Sequence, residues 1–157
     1  MLRPAPAIEI ERKFLVTAVP EKAQTAAQAR ILQGYLAVSG EHEVRIRERE
    51  DSYTLTMKSG AGLSRVEEEM QLSEGLFEEL WPLTEGRRIQ KVRYEIPHGD
   101  LTLELDEYEG HLSGLRVVEV EFPSQARAHS FQPLSWFGRE VTEELAMANR
   151  HLALSRP

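Results

Sequence analysis

Residues two apart in this chain are repeatedly like-charged, as in Glu9/Glu11, Arg45/Arg47, Glu67/Glu69, Lys91/Arg93, Glu104/Asp106 and Glu119/Glu121. Carboxylate pairs are oxygen donors for a hard divalent cation such as Mg²⁺ or Mn²⁺. Arginine and lysine pairs suit a polyanion, and a guanidinium takes phosphate oxygens bidentately. Gathered in one place, the two kinds of pair would hold a metal–polyphosphate complex.

Each pair lies in a stretch that alternates like a β-strand. In Ile8–Val16, residues Glu9, Glu11 and Lys13 share one face, with Ile8, Ile10 and Phe14 on the other. Ala29–Val38 is extended around Gln33-Gly34-Tyr35-Leu36, and Glu43–Arg49 sets Arg45 and Arg47 against Val44 and Ile46. In Ser52–Ser59, Thr54, Thr56 and Lys58 oppose Tyr53, Leu55 and Met57; in Ser64–Leu72, Arg65, Glu67 and Glu69 oppose Val66, Met70 and Leu72. Arg87–Ile96, Leu101–Glu109 and Leu115–Phe122 complete about eight strands, with turns at Gly60-Ala61-Gly62 and Pro97-His98-Gly99-Asp100. Helices are few. Ser73 is placed to cap one that ends at Pro82, Ser124–Leu134 can hold a second, and Thr142 can cap a last helix through Leu154. Pro20–Gln28 reads as helical or irregular.

Residues two apart on a strand are separated by about 6.6–6.8 Å. Two like charges there repel by roughly 2–2.5 kcal/mol at an effective dielectric near 20, and by about a quarter of that in water. A sandwich with one solvated polar face is the ordinary reading of such alternation. Six like-charged pairs ask for more: opposite charges on neighbouring strands, or charged faces turned inward around a lumen whose ligands are the counter-ions. Barrel closure permits the second, provided the outward apolar stripes are covered. The segments around Leu76–Trp81, Phe131 and Leu145–Leu154 are available as covers. The residues alone give one α+β domain over residues 1–157 with about eight strands, and leave open a sandwich with charges offset across strands or a closed barrel with a charged interior.

Composition narrows the partners. The chain has 157 residues, 19 Lys+Arg against 26 Asp+Glu, a formal net charge of −7 and no cysteine. Disulfides, thiolate metal sites and a cysteine nucleophile are excluded. An acidic total argues against nucleic acid, and no apolar run approaches the ~18 residues of a membrane helix. A soluble cytoplasmic domain is expected. The five histidines form no ligand-spaced pair, and Gly60-Ala61-Gly62 lacks the Gly-Lys-Ser/Thr of a P-loop.

At Ile8-Glu9-Ile10-Glu11-Arg12-Lys13 the sequence resembles the CYTH superfamily, the triphosphate tunnel metalloenzymes, whose signature is an N-terminal Glu-x-Glu-x-Lys strand. The likeness continues through Gln33-Gly34-Tyr35-Leu36, Val44-Arg45-Ile46-Arg47, Leu55-Thr56-Met57-Lys58, Ser64-Arg65-x-Glu67-x-Glu69, Lys91-x-Arg93-Tyr94, Glu104-Leu105-Asp106, Val118-Glu119-Val120-Glu121-Phe122 and Gly138-Arg139-Glu140-Val141-Thr142. It is closest in kind to the short bacterial inorganic triphosphatases. The resemblance implies an α+β fold built on an eight-stranded antiparallel closed β-barrel, a tunnel with a charged interior and a few covering helices. It implies that Glu9, Glu11, Glu119 and Glu121 gather Mg²⁺ or Mn²⁺ with help from Glu67, Glu69, Glu104 and Asp106. It implies that Lys13, Arg45, Arg47, Lys58, Arg65, Lys91 and Arg93 hold the phosphates. The expected reaction is hydrolysis of inorganic triphosphate to pyrophosphate and phosphate, with Lys13, Lys91 and Tyr35 as candidates for orienting or deprotonating the attacking water.

One departure is visible: relatives carry a basic or aromatic residue just before the Asn of the C-terminal helix, where this chain has Ala148 before Asn149, with Arg150 after it. The rival readings are thiamine triphosphatase, adenylyl cyclase and a non-catalytic polyphosphate-binding module. Tunnel-type relatives can also form homodimers.

Overall fold

The computed structural model describes residues 7–60 and 63–155, with Ser64 as backbone only. The Ala61-Gly62 part of the expected turn lies outside the described residues. Nine strands are present among them: β1 (Ala7–Val16), β2 (Ala27–Ser39), β3 (His42–Arg49), β4 (Ser52–Ser59), β5 (Ser64–Gln71), β6 (Arg88–His98), β7 (Leu101–Tyr108), β8 (Arg116–Glu121) and β9 (Phe137–Glu140). Their hydrogen-bonded order is β5-β4-β3-β2-β6-β7-β8-β1-β9, and β1 also pairs with β5. That last pairing closes β1 to β8 into an antiparallel barrel, as the resemblance implies. The short β9 was not foreseen. β1 pairs with β5 through residues 7–10, with β8 through 11–15 and with β9 at Phe14 and Val16.

The helices are shorter than the sequence suggests. α1 (Glu74–Leu80) starts at Ser73, whose Oγ accepts the Leu76 N–H at 3.1 Å, and runs on into a 3₁₀ turn, Trp81–Thr84. α2 (Gln125–Ser130) is capped by Ser124 in the same way. The expected helix from Thr142 through Leu154 breaks into a 3₁₀ turn at Leu145–Met147 and α3, Asn149–Leu154, because Ala148 between them is extended with ψ 140°. Thr142 is no cap: its hydroxyl accepts the Lys13 backbone N–H and donates to Glu140. Between β1 and β2, Glu21–Thr25 is a 3₁₀ turn.

Two apolar clusters hold this wall. The larger one lies on the outer face of β1, β6, β7 and β8, where Phe14, Leu103, Leu105, Val118 and Val120 pack beneath Ala128, Phe131 and Phe137. Arg12, also facing outward, fastens the cover: its guanidinium donates to the Ala128 and Phe131 carbonyls at 3.0 Å each and to Glu140. The smaller cluster joins Tyr35, Ile89, Tyr108 and Val117 to Leu152 and Ala153 of α3. Those four strand residues share the inward parity of Gln33, Lys91, Asp106 and Glu119, so they fill one end of the lumen, with α3 seated on it. The covering of the outer wall is incomplete, contrary to expectation. Ile8, Met57, Val66 and Met70 on β1, β4 and β5 are 66%, 43%, 39% and 50% exposed, because α1 and α2 pack elsewhere. No helix among the described residues is long and apolar enough to cross a membrane.

Gly34 shows how closely the turn after α1 seats on β2. A Cβ there would lie 2.4–2.8 Å from the Thr84 side chain. Thr84 cannot yield easily, because its hydroxyl donates to the Trp81 carbonyl at 2.7 Å and accepts from Arg88 at 2.9 Å. Gly34→Ala is expected to cost about 1–3 kcal/mol by overpacking, seen as a lower urea midpoint; an unchanged midpoint would show that Thr84 moves freely.

Candidate active site

The inward residues of the eight strands surround a cavity of about 250 Å³. Of the residues singled out from sequence, it is lined by Glu9, Glu11, Lys13, Arg45, Arg47, Lys58, Arg65, Glu67, Glu69, Lys91, Arg93, Glu104, Glu119 and Glu121. Tyr35 and Asp106 do not reach it. Tyr35 is fully buried in the smaller cluster, and its hydroxyl accepts from Gln33 Nε2 at 3.2 Å.

Antiparallel pairing explains how so many like charges coexist. Most of the pairs have opposite charge on another strand within reach, so attraction across the barrel offsets repulsion along the strands. Arg45/Arg47 has no charge directly beside it, its register partners on β2 and β4 being Tyr35, Gln33, Thr56 and Thr54. Lys58 on β4 lies 2.8 Å from Glu9 and 3.6 Å from Glu67. Arg65 contacts Glu11 and, at 3.9 Å, Glu9. Arg47 reaches Glu69 at 3.7 Å, and Lys13 reaches Glu119 at 3.9 Å. Arg93 contacts Glu104 and is 3.7 Å from Glu119.

The tightest group is Asp106 with Lys91 and Arg93. Its carboxylate takes Lys91 Nζ at 2.7 Å and the Arg93 Nε and Nη2 at 2.7 Å each. Burial by itself would raise the Asp106 pKa, but Arg93 and Lys91 outweigh it and hold the carboxyl below its usual range. Both oxygens are thus taken by cations, which leaves Asp106 behind the cavity wall as a counter-ion. Lys91, only 2% exposed, is lowered to about 8 by burial, against the opposing pull of Asp106.

On β1 and β8 the balance tips to excess acid. Burial raises Glu11 to about 8, with the charges of Glu119 and Glu9 adding to it. Glu121 is also raised, by burial and then by Glu9, Glu104 and Glu11. Glu119 Oε1 is buried without a hydrogen-bond partner, and Glu9 Oε2, also buried, has Lys58 Nζ at 2.8 Å without hydrogen-bond geometry. Crowded carboxylate oxygens of this kind are the donor chemistry a hard divalent cation requires. Among the described residues no three acidic or histidine side chains converge into a finished coordination sphere.

Sequence reasoning missed part of the lining. Glu43, Gln33 and Arg49 also line the cavity, with the inward parity of Arg45 and Lys91, and were not singled out from the sequence. The C-terminal segment adds Thr142, Asn149 and Arg150. It is tied down at three points: Lys13 Nζ donates to the Met147 carbonyl at 2.7 Å, the Tyr108 hydroxyl donates to Asn149 at 2.5 Å, and Arg150 faces Glu43 at 3.4 Å. Arg150 thereby brings a cation to the end where Ala148 offers none.

A closed barrel lined by carboxylates on one side and guanidinium and ammonium groups on the other defines a class, the polyanion-binding tunnel. The chain belongs to the CYTH family, whose domain model matches residues 7–150. It is 49% identical over 152 residues to an inorganic triphosphatase of Nitrosomonas europaea, covering 95% of this chain and 99% of that protein. It is 34% identical over 146 residues to an inorganic triphosphatase of Acetivibrio thermocellus, covering 92% of each. A crystal structure of an inorganic triphosphatase superposes with a TM-score of 0.73 at 43% identity, over 98% of this chain and 99% of that one.

Asp106→Asn keeps the side-chain shape and strips the charge that holds Lys91 and Arg93 together. Stability is expected to fall by about 3–5 kcal/mol in urea unfolding. Glu107→Gln next to it, whose partner Arg116 lies on the exposed face, should cost under about 1 kcal/mol. Lys91 also predicts a pH dependence. Between its folded value of about 8 and its ordinary 10.5, the unfolded chain binds a proton that the folded chain lacks. Stability therefore gains a rising contribution with pH through that window. Unfolding midpoints from pH 7.5 to 10.5 should show this rise in the native chain and lose it in Lys91→Met.

Proposed function

We propose that this chain is a divalent-metal-dependent hydrolase that cleaves inorganic triphosphate to pyrophosphate and phosphate inside its barrel. The observation that carries the reading is the enclosed lumen, where surplus carboxylates on β1 and β8 face the cations of β3 to β6. The names of the two relatives support the choice of substrate.

When bound, Mg²⁺ or Mn²⁺ at Glu9, Glu11, Glu119 and Glu121 neutralises phosphate oxygens and polarises the phosphorus for in-line attack. Arg45, Arg47, Lys58, Arg65 and Arg93 fix the phosphate chain and stabilise the charge that spreads over it in the transition state. Glu67, Glu69 and Glu104 hold Lys58, Arg47 and Arg93 in place until the substrate replaces them. Lys91 Nζ, with its value near 8, exists in both protonation states near neutrality. It can accept a proton from the attacking water, the condition a general base must meet. Lys13 Nζ orients that water. Tyr35 lies outside the cavity, which favours the two lysines over it.

The decisive experiment measures phosphate release from triphosphate, ATP and thiamine triphosphate with Mg²⁺, Mn²⁺ or EDTA. Release from triphosphate with metal and none with EDTA is expected. Preferred turnover of ATP or thiamine triphosphate would replace the substrate assignment, and tight binding without turnover would make the chain a polyphosphate-binding module. Glu9→Ala and Glu119→Ala should each lose about 100-fold or more in kcat/KM, or about 2.7 kcal/mol of transition-state stabilisation, with circular dichroism unchanged. Native activity in both would sink the metal assignment.

A further inference from the structure

Glu43 is a carboxylate that the proposed chemistry leaves without a task. It is 4% exposed, lines the cavity, and stands two residues before Arg45 on the same face of β3. Its Oε1 is 3.8 Å from Arg45 Nη1 and its Oε2 is 3.4 Å from Arg150 Nη1. Among the described residues it is the one carboxylate within ion-pair distance of either arginine. Both guanidinium groups keep a buried Nε without a partner, so two cations with spare donors flank a single anion. This group stands at the end of the lumen that Tyr35, Tyr108, Val117 and α3 close.

We propose that Glu43 limits the length of the phosphate chain the tunnel accepts, by keeping a fixed negative charge at its closed end. The inference rests on the triphosphatase reading above and adds the basis of its selectivity. Each phosphoryl group added to a linear polyphosphate brings a further negative charge and needs further cationic donors. At the closed end the spare donors are those of Arg45 and Arg150, but Glu43 stands between them and repels a further anion across a buried gap where charges are poorly screened. A chain that ends short of the Glu43–Arg150 pair escapes most of that repulsion. A longer one must either press against Glu43 or protrude past Glu104 and Glu121 at the other acidic rim. Without its charge, the Arg45–Arg150 pair becomes a ready subsite for one more phosphoryl group. Arg150 is then the specificity partner of Glu43: it offsets part of the carboxylate's charge, which sets how strongly the end repels.

The test compares kcat/KM for inorganic tetraphosphate and triphosphate in the native chain, Glu43→Gln and Arg150→Gln. Glu43→Gln keeps the volume and hydrogen-bonding atoms, and the tetraphosphate-to-triphosphate ratio is expected to rise by about tenfold or more. Arg150→Gln leaves Glu43 less neutralised, and the ratio should fall. A purely structural ion pair would move both substrates together and leave the ratio unchanged, which overturns the inference. If Glu43→Gln fails to fold by circular dichroism, the Arg150→Gln ratio decides: a fall supports the proposal, and no change or a rise overturns it. A native chain that hydrolyses triphosphate with ratios unmoved by either variant defeats this inference alone. A native chain inert toward triphosphate defeats the triphosphatase reading and this inference with it.

Discussion

A closed eight-stranded wall has space inside for one filling only, and here most of that space goes to ions. The ordinary source of stability, an apolar interior, is consequently displaced to the outside of the wall and to one end of the lumen. Phe14, Leu103, Leu105, Val118 and Val120 serve as core residues although they point away from the barrel axis. They need a lid of their own, which explains the position of α2 and the aromatic pair Phe131 and Phe137. Arg12, between two lumen-facing residues of β1, is spent entirely on holding that lid. The alternation of β1 thus divides its residues between the charged lumen inside and cohesion outside.

The charges tolerate one another because opposite signs are arranged across the strands. Asp106 is the extreme case, with Lys91 and Arg93 held so tightly that it serves the wall more than the guest. Around Glu9, Glu11 and Glu119 the cancellation is incomplete, and the buried Glu119 Oε1 remains without a hydrogen-bond partner. The distinction between balanced and unbalanced parts of one lumen separates scaffolding from site. Saturated ion pairs resist displacement, while unsaturated oxygens invite a cation.

Much of this was legible in the chain itself. Period-two alternation located the strands because the inward residues are charged and the outward ones apolar, so both faces signalled at once. The like-charged pairs marked most of the charged side chains that the strands turn into the cavity, and nothing of the C-terminal segment that lines it. Parity could not separate Asp106 from Glu104, since a side chain in the wall and one in the lumen share the same face of a strand. Nor could it retain Tyr35, whose inward direction ends in an apolar plug. Glu43 escaped notice because an acid at the start of a strand, beside an arginine pair, reads as an ordinary neighbour. The C-terminal helix was overextended because Leu145, Ala148 and Leu152 recur at helical spacing, while the extended backbone of Ala148 and the anchoring of Met147 by Lys13 are tertiary effects.

β1 is the strand to which everything returns. It meets β5 about 57 residues on, by the pairing of Ile8 with Val66, and then β8 and β9 more than 100 residues on, by Phe14 with Val118 and Glu140. Contacts so distant along the chain must wait for most of the polypeptide to be in place, and topologies dominated by them fold slowly. During synthesis the N-terminal glutamates therefore emerge long before their partners exist. The ring of carboxylates forms only when β8 docks, so an immature chain cannot assemble its ion-binding wall.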